Sequence, residues 1–382
     1  MDGFHDPAPI SAAVLDAVAR AAAGHDLAGS FPHDSIAVLR DTGLLAMTVP
    51  RRLGGGGGGL ARAAVVVEAV GTACASTALV LAMQFSHQNR VAANERMEPT
   101  LRDRVGTDAV TTGALINALR VEPALGTPAR GGLPETIARR TGTGWSISGR
   151  KIYSTGAPGL QWMLVWARTD EDTPRVGHFL VPADTPGIRI EQSWDQLGLR
   201  ASGSDDVVFT DVAVPAENAA DIRLPADWRG PDPQGLAWGI VLTSAVYLGV
   251  AKAARNWVVR FLHERKPSNL GAALATLPRM QEAVGAIEER LAVNDALLAT
   301  AIRMAEAEDT PNGQALNLFK TTLAENAVRA VEQALLLTGN HGLSRGNPLE
   351  RHWRDVVCAR VHTPQADTVH LAAGRAALGL SS

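Results

Sequence analysis

Apolar residues recur at three- and four-residue spacing from Ile10 to Leu27 and again from Ile36 to Leu45, the pattern of helices that bury one face. Leu60 to Ala93 is so rich in Ala, Val and Leu that it reads as buried helix. From about Ala109 to Pro215 the texture changes. Trp145-Ser-Ile147-Ser and Ile188-Arg-Ile190 alternate with period two, and Trp162 to Ala167 and Val207 to Phe209 are short apolar runs bounded by Gly, Pro and Asp. Both patterns predict strands. After Pro231 the helical period returns, with Pro267, Pro278, Pro311, Pro348 and Pro364 placed where helices start or stop. Helices, then strands, then helices is not the alternation of a doubly wound sheet. The expected fold class is α+β, mostly α, with a helical part over 1–107, a β part over 108–220 and a second helical part over 221–382.

Six consecutive glycines, flanked by Leu53 and Leu60, formally contain a G-x-G-x-x-G fingerprint between the strand-like Met47 to Pro50 and a helix. A dinucleotide site also needs an acidic residue about 20 positions on and a returning parallel strand. Residues 75–92 contain no Asp or Glu. The run therefore reads as a flexible loop between helices.

Composition narrows the classes further. The 382-residue chain is 46% hydrophobic and 20% charged, with a formal net charge of −3, which gives no electrostatic footprint for nucleic acid. Two cysteines, Cys74 and Cys358, exclude a disulfide framework or a cysteine-rich metal site. MDGFHDPAPIS lacks the basic flank and apolar core of a signal peptide. The apolar run Gly239–Ala254 is too short to span a bilayer. A soluble cytoplasmic protein with no membrane partner is expected. No H-E-x-x-H or paired metal-ligand spacing occurs, His341 and His352 stand isolated, and there is no G-x-S-x-G nucleophile elbow.

Five ordered motifs carry a more specific signal. They are Gly43 to Pro50 followed by glycines; Glu122-Pro123 with Gly126-Thr127; Gly149 to Gly156, reading GRKIYSTG; Trp194 to Ser204, reading WDQLGLRASGS; and Asp211 to Pro215. With the ending RDVVCARVHTPQADTVHLAAGRAALG, they resemble the acyl-CoA dehydrogenase superfamily over nearly the whole chain. The resemblance implies a helical N-terminal domain, a central β-barrel-like domain and a C-terminal four-helix bundle that tetramerises. FAD would lie between the β domain and the bundle. It also implies roles. Tyr153, Ser154 and Thr155 would face the flavin ring, with the Thr155 hydroxyl or backbone N–H at the N5 and O4 edge. Thr127 would stand for the serine that binds the flavin phosphate. Arg265 would reach a neighbouring subunit's flavin diphosphate, or else be a solvated charge at a helix end. Gly339 and Gly342 would belong to the family's Gln-x-x-Gly-Gly-x-Gly element, in which Leu336 here replaces the glutamine.

The family's proton acceptor is what the chain lacks. Its common enzymes carry a glutamate about eight residues after the Arg-Asp pair, and here that position is Thr363; the alternative glutamate position, early in the first long bundle helix, is Gly239. Neither can remove an α-proton, which requires a base within hydrogen-bond reach. His362-Thr363-Pro364 is similar to the H-x-P element of flavin-dependent monooxygenases of this fold. An imidazole suits proton transfer near neutral pH. Asp367 is the nearest carboxylate, or else a helix-capping residue. His87 is a second polar candidate, or else a group facing solvent or capping its helix. Two enzymatic readings follow. One is a dehydrogenase-type flavoenzyme oxidising an acyl thioester or similar substrate with a non-standard base. The other is a monooxygenase fed with reduced flavin, FADH2 or FMNH2, by a reductase and acting on a small molecule through His362. A dehydrogenase would instead pass electrons to an electron-transfer partner. A catalytically silent assembly protein is the third reading.

Overall fold

The computed structural model describes residues 10–124, 133–228, 232–307 and 311–380; Thr127 lies outside them. Helix α1 (Ala12–Ala28) begins where the Ser11 hydroxyl accepts the Val14 N–H and ends at Gly29, with φ 62°. Both are ordinary stop and start chemistry. Helices α2 (His33–Asp41), α3 (Leu60–Ala73), α4 (Ala75–Ala92) and α5 (Pro99–Thr112) complete the first helical part.

Met47 to Pro50 is not a strand. It lies between two short 3-10 turns, Leu44–Ala46 and Arg51–Leu53. Met47 and Val49 are buried single anchors, so their apolar alternation reports burial and not sheet pairing. Nor is the glycine run slack. Gly56, Gly57 and Gly58 donate their N–H groups to the carbonyls of Ala46, Val49 and Met47. A Cβ at Gly55 would stand 2.3 Å from the Val49 oxygen, so only glycine lets the chain fold back this closely.

The β domain is one eight-stranded sheet. Its strands are β1 (Leu115–Leu119), β2 (Ile137–Arg140), β3 (Gly144–Lys151), β4 (Leu160–Thr169), β5 (Val176–Pro182), β6 (Ile188–Glu191), β7 (Asp206–Pro215) and β8 (Ala219–Arg223). The order is β6-β7-β3-β2-β4-β5-β8, and β1 also lies along β4. Strands β1 and β2 run parallel to β4 at its two ends, opposite Leu160 to Val165 and opposite Arg168 and Thr169. The predicted alternation in β3 and the apolar run in β4 both hold: β4 is buried from Trp162 to Ala167.

The last part holds α6 (Pro233–Glu264), α7 (Pro278–Ala307), α8 (Gly313–Thr338), α9 (Leu349–Val356) and α10 (Ala366–Ala377). Pro278 opens α7, Pro348 precedes α9 and Pro364 precedes α10, as the proline spacing predicts. Helix α6 is long and apolar enough to cross a membrane, yet most of its apolar stretch is buried inside the protein. It is the axis of the fold, packed on α3, α4, α7 and α8. Its approach to α3 is backbone-close: a Cβ at Gly249 would sit 2.3 Å from the Glu68 carbonyl oxygen. One apolar cluster runs from α1 through the sheet into the bundle, so the crevice expected between sheet and bundle would be walled by packed elements.

Candidate active site

The sheet side of that crevice is built where β3 ends. Lys151, completely buried, pairs with Glu122 at 2.5 Å and donates to the Trp166 carbonyl. Burial pulls the Lys151 ammonium down to about 8 against the pull of Glu122. Glu122 also accepts from the N–H groups of Glu135 and Thr136 and from the Thr136 hydroxyl. With its anchor fixed, the chain turns sharply. Tyr153 has φ 56° and leaves its ring 58% exposed, held at its edge by Trp194 with centroids 6.2 Å apart. Ser154 is buried, and its hydroxyl has no partner among the described residues. The Thr155 hydroxyl meets Ser204 Oγ at 3.0 Å, and Ser204 meets Ser202 at 2.7 Å. The Thr155 carbonyl accepts from Asn117 Nδ2 at 2.8 Å. Its N–H turns back to the Tyr153 carbonyl. The hydroxyl is thus the group Thr155 has to offer, and its N–H is engaged within the turn.

The bundle side is clasped to this wall by the Arg-Asp pair. Asp355, buried, accepts the Leu199 N–H at 2.7 Å; burial raises its pKa to about 6 despite that bond. Arg354 bridges Asp26 at 2.6 Å and Glu350 at 2.7 Å. A Cβ at Gly198 would stand 2.0 Å from the Arg354 carbonyl oxygen, so glycine is what permits the arm to lie against α9. From there the chain descends through a 3-10 turn, Val357–Arg360, to His362.

His362 is held from two directions. Its Nδ1 lies 3.2 Å from the Tyr247 hydroxyl on α6. Its carbonyl accepts from Lys320 Nζ on α8 at 2.6 Å, and Lys320 also bonds the Ala359 carbonyl at 3.1 Å. Burial first, then the Lys320 ammonium, push the imidazole down to about 4, while burial pushes the Tyr247 phenol well above its usual value. Both rings are therefore neutral at pH 7. Lys320 itself is pulled to about 8 by burial.

Among the described residues, no carboxylate stands at either of the absent glutamates' positions. Thr363 is exposed. At Gly239 an added Cβ meets nothing within 4 Å: the position opens on free space. Asp367 is exposed in the first turn of α10 and accepts the adjacent Thr368 N–H. It is not the N-cap, which is Gln365. Asp205 is taken by the N–H groups of Ser193 and Trp194.

The other expected residues separate into two places. His87 neither faces solvent nor caps α4. Its Nδ1 is buried without a partner among the described residues, and burial together with Arg90 and Arg120 holds it at about 3. It lies beside Asn117, which holds Thr155. Arg265 is exposed at the end of α6. Gly339, with φ 55°, ends α8, and Gly342 follows one turn later. Phe261 packs on His341 at 5.4 Å, so Arg265 and the two glycines share one end of the bundle. That end is about 27 Å along α6 from Tyr247, at 1.5 Å per residue. Leu336 is 78% exposed there.

Tyr247 and Lys320 are missed by reading the sequence. A faint signal exists: the chain has only two tyrosines, and Tyr247 interrupts a long apolar helix.

The chain matches models of the N-terminal, middle and C-terminal domains of acyl-CoA dehydrogenases over residues 10–94, 120–212 and 241–365. It is 33% identical to the putative acyl-CoA dehydrogenase YdbM of Bacillus subtilis, over 93% of this chain and 91% of the relative. It is 28% identical to the L-evernosamine nitrososynthase of a Micromonospora species, over 97% and 89%. Among solved structures it is similar to a KijD3 in complex with FMN and dTDP-3-amino-2,3,6-trideoxy-4-keto-3-methyl-D-glucose. The TM-score is 0.85 and the identity 31%, covering 97% of this chain and 92% of that one.

Proposed function

The chain belongs to the acyl-CoA dehydrogenase family, and from that premise we propose that it is a flavin-dependent oxidoreductase working as a monooxygenase on a small molecule. The observation that carries this reading is the neutral Tyr247–His362 pair, whose histidine sits in the loop where the family's dehydrogenases place a glutamate. The nearby carboxylates are committed elsewhere, Asp355 to Leu199 and Asp205 to Ser193 and Trp194. The L-evernosamine nitrososynthase and KijD3 relatives, the latter with FMN bound, support a flavin of either FMN or FAD type. The residues fit one. Tyr153 presents an exposed ring, the Ser154 hydroxyl is orphaned and buried, and the Thr155 hydroxyl stands beside them. When bound in reduced form, the flavin supplies electrons for oxygen activation, and a reductase partner must renew it.

The chain's own residues orient and move the proton. With Nδ1–H donated to the Tyr247 oxygen, His362 Nε2 carries a lone pair and accepts a proton from the substrate. With the phenol donating instead, Nε2–H is the donor. The Tyr247 hydroxyl can therefore support either tautomer, and Lys320 fixes the loop carrying the ring. Space for the substrate is provided where Gly239 leaves the α6 surface bare.

The test is spectroscopic. Protein reconstituted with oxidised FAD or FMN is mixed anaerobically with acyl-CoAs of several chain lengths, and the flavin absorbance should persist. With reduced flavin and oxygen, a substrate screen should yield an oxygenated product. Bleaching by an acyl-CoA without a reductase would instead establish the dehydrogenase reading.

A further inference from the structure

Between the C-terminal end of α4, the edge formed by β5 and β8, and the start of α6 lies a cavity of about 890 Å³. Three of its polar groups, on Ser86, Arg120 and His178, have a buried atom with no partner among the described residues. Arg120 has its guanidinium over the Trp166 ring at 5.0 Å, its Nε is buried without a hydrogen-bond partner, and it forms no ion pair among the described residues. Arg90 also lines the cavity and has no ion pair among the described residues. The buried carboxylate that might have served it, Asp221, is taken bidentately by Arg223. His178 is 5% exposed, sits between Trp166 and Trp228, and its Nε2 has no partner. The Ser86 hydroxyl is likewise orphaned.

Buried polar groups are ordinarily hydrogen-bonded, and an uncompensated buried cation is costly. Here two guanidinium groups face one cavity, and each lowers the other's hold on its proton or that of a neighbouring histidine: Arg120 is pulled to about 10 by burial and then by Arg90. They remain charged at pH 7. Asp232 at the start of α6 and Asp221 favour the Arg90 charge through space without bonding it, whereas no carboxylate among the described residues acts on Arg120. The exposed rim carries both signs, with Glu95, Arg96 and Asp227, so the excess positive charge is internal.

We propose that this cavity is an oxyanion subsite, in which Arg90 and Arg120 grip a phosphate or carboxylate group carried by the substrate, with His178 and Ser86 completing its hydrogen bonds. Paired guanidinium forks match the planar or tetrahedral oxygens of such groups. A neutral His178 donates through Nε2–H, and a serine hydroxyl serves either role. The wall is linked to the site already described, since His87 feels the charge of both arginines and lies beside Asn117, the residue that holds Thr155. The inference deepens the monooxygenase reading and rests on it only in calling the bound group part of a substrate.

Calorimetric titration of the full chain, reconstituted with flavin, tests it with three probes at constant ionic strength: inorganic phosphate, pyrophosphate and succinate. At least one should bind saturably. Phosphate or pyrophosphate alone assigns a phosphate-bearing substrate, and succinate alone a carboxylate. Arg120→Met and Arg90→Met should each weaken that binding more than 10-fold, while Arg96→Gln on the rim leaves it unchanged. Arg120→Lys, which keeps the charge and loses the fork, should fall between and covers the case in which the methionine variant does not fold. No saturable binding by any probe, or equal affinity in the arginine variants, overturns the proposal. Because no turnover is measured, an enzyme that binds an anion yet is bleached by acyl-CoA would refute the monooxygenase reading and leave the subsite standing.

Discussion

At the scale of single residues, His362 is the group on which the proposed chemistry turns. It is neutral, bonded at Nδ1, and fixed through its carbonyl by Lys320. His362→Ala should lower turnover by roughly 100-fold or more while leaving flavin binding intact, the scale of losing a positioned acid or base. Rapid-mixing kinetics with prereduced flavin measure this, and wild-type turnover would make the residue structural. Burial also ties the histidines to stability. His87 and His352 sit at about 3 and His362 at about 4, all below the unfolded value of about 6.5. As pH falls below about 6.5 the unfolded chain takes up protons that the folded one refuses, so stability is lost on acidification. Asp355, raised to about 6, works the other way, because the folded state holds its proton where the unfolded state has released it. His178 is likewise held well below its ordinary value by burial; four histidines outweigh one aspartate, and Tm should fall between pH 7 and pH 5. A scan in which Tm rises over that range contradicts the assignment.

At the scale of elements, the site depends on how β3 leaves the sheet. Lys151 and Glu122 are both buried, and together they fix the strand end, the segment entering at Thr136, and the Trp166 carbonyl of β4. Lys151→Met would leave the Glu122 charge buried without its cation. That should cost about 3–5 kcal/mol, read from urea unfolding; a loss under about 1 kcal/mol would show that backbone donors alone satisfy the carboxylate. The GRKIYSTG motif marks this turn in the sequence, but the partner of Lys151 was not legible, because 29 positions separate it from Glu122. The Met47 segment shows the opposite failure. Its alternation was legible and its meaning was not, since two buried anchors on a 3-10 turn produce the same pattern as a strand.

At the scale of the whole molecule, Arg265, Gly339 and Gly342 lie at the far end of the bundle from His362, too distant to share one ring site within a subunit. Exposed leucines and a valine mark the C-terminal part: Leu336, Leu343, Val361 and Leu371. Both facts accord with a tetramer in which each subunit completes its neighbour's flavin site. Sedimentation at micromolar concentration should show that tetramer, and a monomer would remove the shared-site argument. Arg265→Ala should weaken flavin binding by about 1.5–3 kcal/mol, the worth of a hydrogen bond to a charged group. Unchanged affinity in a flavin titration would exclude Arg265 from the site.

The order of helical and β parts, the helix stops at the prolines, and the loss of the family's glutamate were all determined by the sequence. Each is local, written in periodicity, in a residue's own backbone constraint, or in one position of a motif. What His362 bonds to was decided by the tertiary structure alone, because Tyr247, Lys320 and His362 come from three separate elements. The same holds for His87, whose short stretch of sequence favoured solvent or a helix cap over the site, and whose burial came only with the packing around α4. Burial is a property of neighbours distant in the chain. It lowered the pKa of His87 and of His362, and it left Arg120 in the α4 cavity without a carboxylate among the described residues.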